Sequence, residues 1–132
     1  YRNGMRGFLT GDIGYFDLNR RLHITGRTDS TVKLSGYRVD LKEIENITLE
    51  SSHVLDCKAF VIKKKLFQSL VLCILSKKKM DMKNIKSHLG KKLPSYAIPK
   101  FTFFFKKFPK NKNFKVDINK LKKISTKNIQ NL

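Results

Sequence analysis

The chain of 132 residues is one domain's worth of sequence, which excludes a large multi-domain enzyme acting alone. Its 29 Lys and Arg stand against 10 Asp and Glu, a net charge of +19, yet 40% hydrophobic content excludes a wholly disordered chain. No apolar run approaches the ~20 residues of a membrane span, and Tyr1 opens no signal peptide, so the expected location is cytoplasmic.

The charge is confined to one part of the chain. Residues 1–57 are balanced, with six Arg and two Lys against eight acidic residues. Residues 58–132 carry 21 Lys and no Arg against Asp81 and Asp117 alone. Such a basic half raises a nucleic-acid or anionic-surface hypothesis. The absence of arginine there argues against base readout, which relies on a rigid guanidinium fork.

In chain order, Ile13–Asp17 and Leu22–Thr25 read as a hairpin around Leu18–Arg21, a turn without the usual glycine. Thr31–Leu34 alternates polar and apolar residues and predicts a short strand. Asp40 with Glu43 three residues on is close to a capping box and predicts a helix over 41–51. Val54–Lys63 and Phe67–Leu75 predict a strand pair turning at Lys63-Lys64-Lys65. A second amphipathic helix is expected over 81–93, its apolar face set by Met82, Ile85 and Leu89. Pro94 and Pro99 frame an expected extended segment, 95–98, before the aromatic strand Phe101–Phe105. Asp117 caps a last short helix, 118–124, followed by a polar, frayed tail. Cys57 and Cys73 lack metal-ligand spacing and read as two buried free thiols. The whole is a small α+β domain.

Three segments carry chemistry. The first is Leu9-Thr10-Gly11-Asp12-Ile13-Gly14-Tyr15. The second runs from Gly26-Arg27-Thr28-Asp29 through Val32-Lys33-Leu34-Ser35-Gly36-Tyr37-Arg38 to Glu43-Ile44-Glu45. The third pairs Leu93-Pro94-Ser95-Tyr96-Ala97-Ile98-Pro99 with Asn113-Phe114-Lys115-Val116-Asp117. Taken bare, each has a plainer reading: turn residues, a tight turn between strands, one solvated lysine among 23.

Together, in this order and spacing, they resemble the last core motifs of the adenylate-forming superfamily. That group includes acyl-CoA ligases, nonribosomal peptide synthetase adenylation domains and D-alanine–carrier protein ligases. Val32-Lys33 with Gly36-Tyr37-Arg38 resembles the amino-acid-activating branch. The resemblance implies a small, mobile C-terminal lid: a short β-hairpin, a central mixed sheet of about three strands and two to three flanking helices. Residues 1–28 would finish a large N-terminal domain, and 29–132 would be the lid. The chain would then be a fragment of an ATP-dependent ligase, inactive alone. The whole enzyme would form an aminoacyl-adenylate and pass it to the phosphopantetheine thiol of a carrier protein. ATP with Mg would be held mainly by the N-terminal domain; no metal site is expected in this chain.

The same resemblance assigns roles. Asp12 would hydrogen-bond the ribose hydroxyls and Arg27 would contact the nucleotide. Asp29 would be the hinge about which the lid turns. Gly36, Tyr37 and Arg38 would face the pantetheine thiol. Lys115 would reach the reacting carboxylate and phosphate during adenylation, with Lys112 as second candidate. Glu43 and Glu45 are expected to serve helix capping and the helix dipole. The family pattern has glycine where this chain has Phe114. Because a bulky residue disfavours positive φ, the loop is expected to bend differently or to strain Asn113. The alternatives are an acyl- or aryl-CoA ligase lid, a degenerate lid kept for interaction, and a basic nucleic-acid-binding module.

Overall fold

The centre of the molecule is a strand that is apolar on both faces. β6 (Phe67–Leu75) pairs antiparallel with β5 (Asp56–Lys64) and parallel with β7 (Phe101–Phe105), in the order β5-β6-β7. The structure is a computed structural model; it describes residues 12–27 and 30–132, the side chains at 12, 13 and 24–27 excepted. A strand with both faces covered reads as a continuous apolar run. That is why Leu70-Val71-Leu72-Cys73-Ile74 shows no alternation, each residue being at most 2% exposed.

Two helices cover one face and a third covers the other. Leu70, Leu72 and Ile74 join Ile44 and Ile47 of α1 (Leu41–Leu49) and Ile85 and Leu89 of α2 (Met82–Gly90). Val71 and Cys73 join Phe60 and Ile62 of β5, Phe108, and Leu121 of α3 (Ile118–Gln130). Truncating a fully buried leucine in such a layer, Leu72→Ala, is expected to cost about 2–5 kcal/mol. The parallel β6–β7 pair requires a crossover, and α2 supplies it.

Two hairpins precede this sandwich. β1 (Asp12–Phe16) pairs antiparallel with β2 (Leu22–Arg27), with a bulge between Ile13 and Gly14. β3 (Thr31–Leu34) pairs antiparallel with β4 (Tyr37–Asp40), which leads straight into α1. Asp40 caps α1 as expected, its Oδ1 accepting from the backbone N–H groups of Lys42 at 2.9 Å and Glu43 at 3.4 Å. The expected α+β class, the mixed three-stranded sheet and the three helices are all present.

Several boundaries differ from expectation for identifiable reasons. Tyr37–Asp40 is a strand, where the sequence showed only a run into the helix. The Pro-framed segment is not extended: Ser95–Ala97 form a turn of 3₁₀ helix, with the Ala97 N–H donating to the Pro94 carbonyl at 2.9 Å. Proline restricts only the residue before it, and Ile98, before Pro99, is indeed extended at φ −82°, ψ 126°. The expected frayed tail is helix: α3 runs to Gln130. Leu121, Ser125 and Ile129 repeat every four residues against the sheet, and a serine in that stripe hides the helical period.

Candidate functional site

The β3–β4 hairpin closes in two residues, Ser35 at φ 51° and Gly36 at φ 85°. Positive φ at both centres defines the turn whose twist matches paired strands, so glycine here answers to a dihedral. A Cβ on Gly36 would meet nothing within 4 Å, so the requirement is not one of space. Of the two readings offered for Gly36, the tight turn is what the geometry displays. Gly36 and exposed Arg38 line a shallow concavity of about 430 Å³ with Thr31, Val32 and Lys33.

Tyr37 stacks on Tyr96 with ring centroids 4.3 Å apart and an interplanar angle of 10°. The stack ties the second chemical segment to the Pro-framed part of the third. Tyr96 is the residue that sequence reasoning misses, and an aromatic held between two prolines is the one signal that could have found it. Both rings stay accessible, at 53% and 40% exposure, so the pair forms an aromatic ledge beside the concavity.

Lys115 sits on the loop between β7 and α3. Its backbone is fixed by Asn111, whose carbonyl accepts from the Phe114 N–H at 3.0 Å and whose Oδ1 accepts from Asn113 N–H at 2.9 Å and Lys115 N–H at 3.1 Å. The Asn111 N–H in turn donates to the Lys115 carbonyl at 2.8 Å. The expectation about Phe114 is overturned: Phe114 itself takes φ 62°, and Asn113 is not strained. The bonds to Asn111 over-determine the loop, and the Phe114 ring, 84% exposed, meets no crowding that would forbid the conformation. Lys115 lines a concavity of about 600 Å³ floored by Phe108, Val116 and Ile118, whereas Lys112 lies outside its lining.

The β1–β2 register sets Asp12 directly opposite Arg27, so two residues 15 apart in sequence share one end of the hairpin. Asp29, the hinge candidate, lies outside the described residues. Its neighbour Ser30 donates from Oγ to Asp40 Oδ1 at 3.0 Å, which ties the start of the lid to the cap of α1.

Glu45 corrects its expected role. Rather than complementing the helix dipole, its Oε1 accepts the Ala59 N–H at 2.9 Å, covering an otherwise open edge of β5. Lys42 Nζ approaches its Oε2 at 3.5 Å. Cys57 and Cys73 are free and buried as expected. Burial pushes the Cys57 thiol up to about 12, aided by Glu45 and Asp56, and the Cys73 thiol up to about 11. Both are thus held as inert thiols rather than nucleophiles. Among the described residues no cluster of three or more His, Cys, Asp or Glu is placed to hold a metal ion.

The two concavities share no lining residue, so the domain carries two distinct faces. This architecture is similar to solved structures. NpsA of Klebsiella oxytoca, in complex with 3-hydroxyanthranilyl-AMSN, superposes with a TM-score of 0.74 at 24% identity, over 89% of this chain and 24% of that one. Apo MatB of Rhodopseudomonas palustris gives a TM-score of 0.71 at 26% identity, over the same shares. In sequence, the chain is 33% identical to a D-alanine–D-alanyl carrier protein ligase of Bacillus licheniformis, over 91% of this chain and 25% of that protein. It is also 33% identical to bacitracin synthase 3 of Bacillus licheniformis, over 89% of this chain but 2% of that protein. The chain therefore spans a quarter or less of the length of these relatives. The family described as the AMP-binding enzyme C-terminal domain matches residues 43–115, more than half of the chain, and the chain belongs to that family.

Proposed function

We propose that this chain is the mobile C-terminal lid of an ATP-dependent, amino-acid-activating ligase. In the first step a substrate carboxylate oxygen attacks the α-phosphorus of ATP, and pyrophosphate leaves. In the second a phosphopantetheine sulfur of a carrier protein attacks the acyl carbon, and AMP leaves. The observation that carries this reading is the pair of separate faces on one small domain, Lys115 on one and the Gly36–Arg38 hairpin on the other. A lid that serves two half-reactions in two orientations needs two such faces.

On this reading Lys115 brings an ammonium to the centre where negative charge accumulates during adenylation. Asp12 and Arg27, opposite each other on the hairpin, address the ribose and the phosphate of the nucleotide. Asp29 turns the lid, and the Ser30–Asp40 bond keeps β3 and α1 together as it turns. The Tyr37–Tyr96 ledge flanks the path of the thiol arm. Magnesium belongs to ATP and to the larger domain.

The test is amino-acid-dependent ATP–pyrophosphate exchange by the full reading frame. Exchange stimulated by one amino acid and reduced at least about 100-fold by Lys115→Ala is the expected result, a loss typical of one missing charge stabiliser. No exchange with any amino acid or simple carboxylate would overturn the reading. Supplying coenzyme A in place of a carrier protein in the second step then separates the carrier ligase from a coenzyme A ligase.

A further inference from the structure

The concavity around Lys115 is more basic than a single lysine requires. Lys58, Lys106, Lys107 and Lys110 line it as well, and Asp56 is the one carboxylate in its wall. Asp56 does not neutralise them: its Oδ1 accepts the N–H of Cys57 at 2.8 Å. Among the described residues none of the five ammonium groups is ion-paired, and Lys58 is half-buried. Ile118, the first residue of α3, is also part of the wall, so the positive end of that helix dipole faces the same space. Five like charges around one concavity repel one another unless an anion joins them.

We infer that this concavity is a binding site for a compact polyphosphate, such as inorganic pyrophosphate or the triphosphate tail of a nucleotide. The lining contains lysine and no arginine. Ammonium groups act as point charges that meet tetrahedral phosphate oxygens from any direction, whereas planar carboxylates are matched best by guanidinium forks. The volume, about 600 Å³, suits a small and highly charged anion, and an extended polymer would need a linear track of cations instead. Binding itself does not depend on the ligase reading; only the assignment of the anion to ATP in the closed lid rests on it. In that setting the four extra lysines draw the leaving pyrophosphate, while Lys115 attends to the reacting centre.

The 132-residue chain is titrated calorimetrically with pyrophosphate, tripolyphosphate, ATP, AMP, polyglutamate and a single-stranded oligonucleotide at two salt concentrations. Saturable binding of pyrophosphate, tripolyphosphate and ATP is expected, with AMP weaker by roughly tenfold because it lacks the charged tail. Lys58→Gln/Lys106→Gln/Lys110→Gln should weaken pyrophosphate binding by about tenfold or more, removing three charge-assisted partners. Lys63→Gln/Lys65→Gln/Lys86→Gln removes equal charge at the far end of β5 and on α2, and should change it less than about twofold. Because Lys58 is half-buried, Lys106→Gln/Lys110→Gln, both exposed, repeats the test without risk to the fold. Equal losses in both sets would overturn the inference in favour of net charge alone. Tighter, site-dependent binding of polyglutamate or the oligonucleotide would overturn it in favour of a macromolecular partner. Loss of exchange in the full-length enzyme bears on the ligase reading and leaves this binding result standing.

Discussion

The turn between β1 and β2 and the loop that carries Lys115 are the same backbone structure built twice from different sequences. In each, an Asx residue opens a five-residue loop, Asp17 to Arg21 and Asn111 to Lys115. Its N–H donates to the fifth carbonyl, at 3.0 and 2.8 Å, and its carbonyl accepts from the fourth N–H, at 3.0 Å in both. Its side-chain Oδ1 accepts from the third and fifth N–H groups, at 2.9 and 2.9 Å in one loop and 2.9 and 3.1 Å in the other. The fourth residue is left-handed without being glycine: Arg20 at φ 61° and Phe114 at φ 62°. The opening side chain, rather than a glycine, sets the conformation.

The difference lies in charge. Asp17 bonds His23 Nε2 at 2.8 Å, and that bond, with the backbone N–H groups it accepts, holds its carboxyl below the usual range. Asn111 offers the same acceptor geometry without a charge. Beside a concavity lined by five lysines, a carboxylate would cancel part of the field the site presents, so the amide keeps the loop and spares the potential.

Removing the acceptors tests this most severely. Asn111→Ala should lower amino-acid-dependent exchange by about 10- to 100-fold, since displacing a catalytic group by an ångström costs that much. Asp17→Ala should leave exchange within about threefold, because the loop lies at the opposite end of its hairpin from Asp12 and Arg27. Equal losses in the two would break the comparison. Asn111→Asp sharpens it: the loop is retained and exchange partly recovers, but the affinity for pyrophosphate falls severalfold from the added charge.

The left-handed positions come next. Phe114→Gly and Arg20→Gly each relieve strain of about 1–2 kcal/mol and add unfolded-chain entropy of about 0.5–1 kcal/mol. The net stabilisation in denaturant melts should be at most about 1 kcal/mol and similar at both sites. A clear loss at Phe114 alone would mean that its exposed ring makes contacts that the turn geometry does not require.

The smallest effect is the dependence on acid. The folded-state pKa of Asp17 is depressed, so its contribution is present above the ordinary value of 3.8 and is lost as pH falls through the lower folded value. Amide exchange at Asn19 and Arg21 should therefore rise below about pH 4, while Asn113 and Lys115 stay protected, since an amide acceptor does not titrate there. Parallel loss of protection at both loops would show that acid acts on the fold and not on Asp17.

Much of this was legible in the sequence, for local reasons. Asp40 and Asp117 announced their helices because a cap is a bond to the next turn. The strand pair around Lys63-Lys64-Lys65 was visible in its β-branched runs, although the register carries β5 on to Lys64. The β4 strand was hidden because its four residues, Tyr-Arg-Val-Asp, bury only Val39 fully. Ser125, fully buried and with its Oγ 3.4 Å from Cys73 Sγ, masked the inner stripe of α3.

The sequence by itself determined the family motifs, the element order and the lysine excess, since each is carried by residues close along the chain. Only the tertiary structure decided that Lys115 shares a concavity with Lys58, Lys106, Lys107 and Lys110, and that Tyr37 meets Tyr96. It also decided that Glu45 serves a strand edge rather than a helix end. Lys58 and Lys115 are 57 positions apart, and they meet because β5 ends beside the loop that leads into α3. Packing across a sheet joins residues that no local period connects, and charge, unlike a turn, acquires its meaning from its neighbours in space.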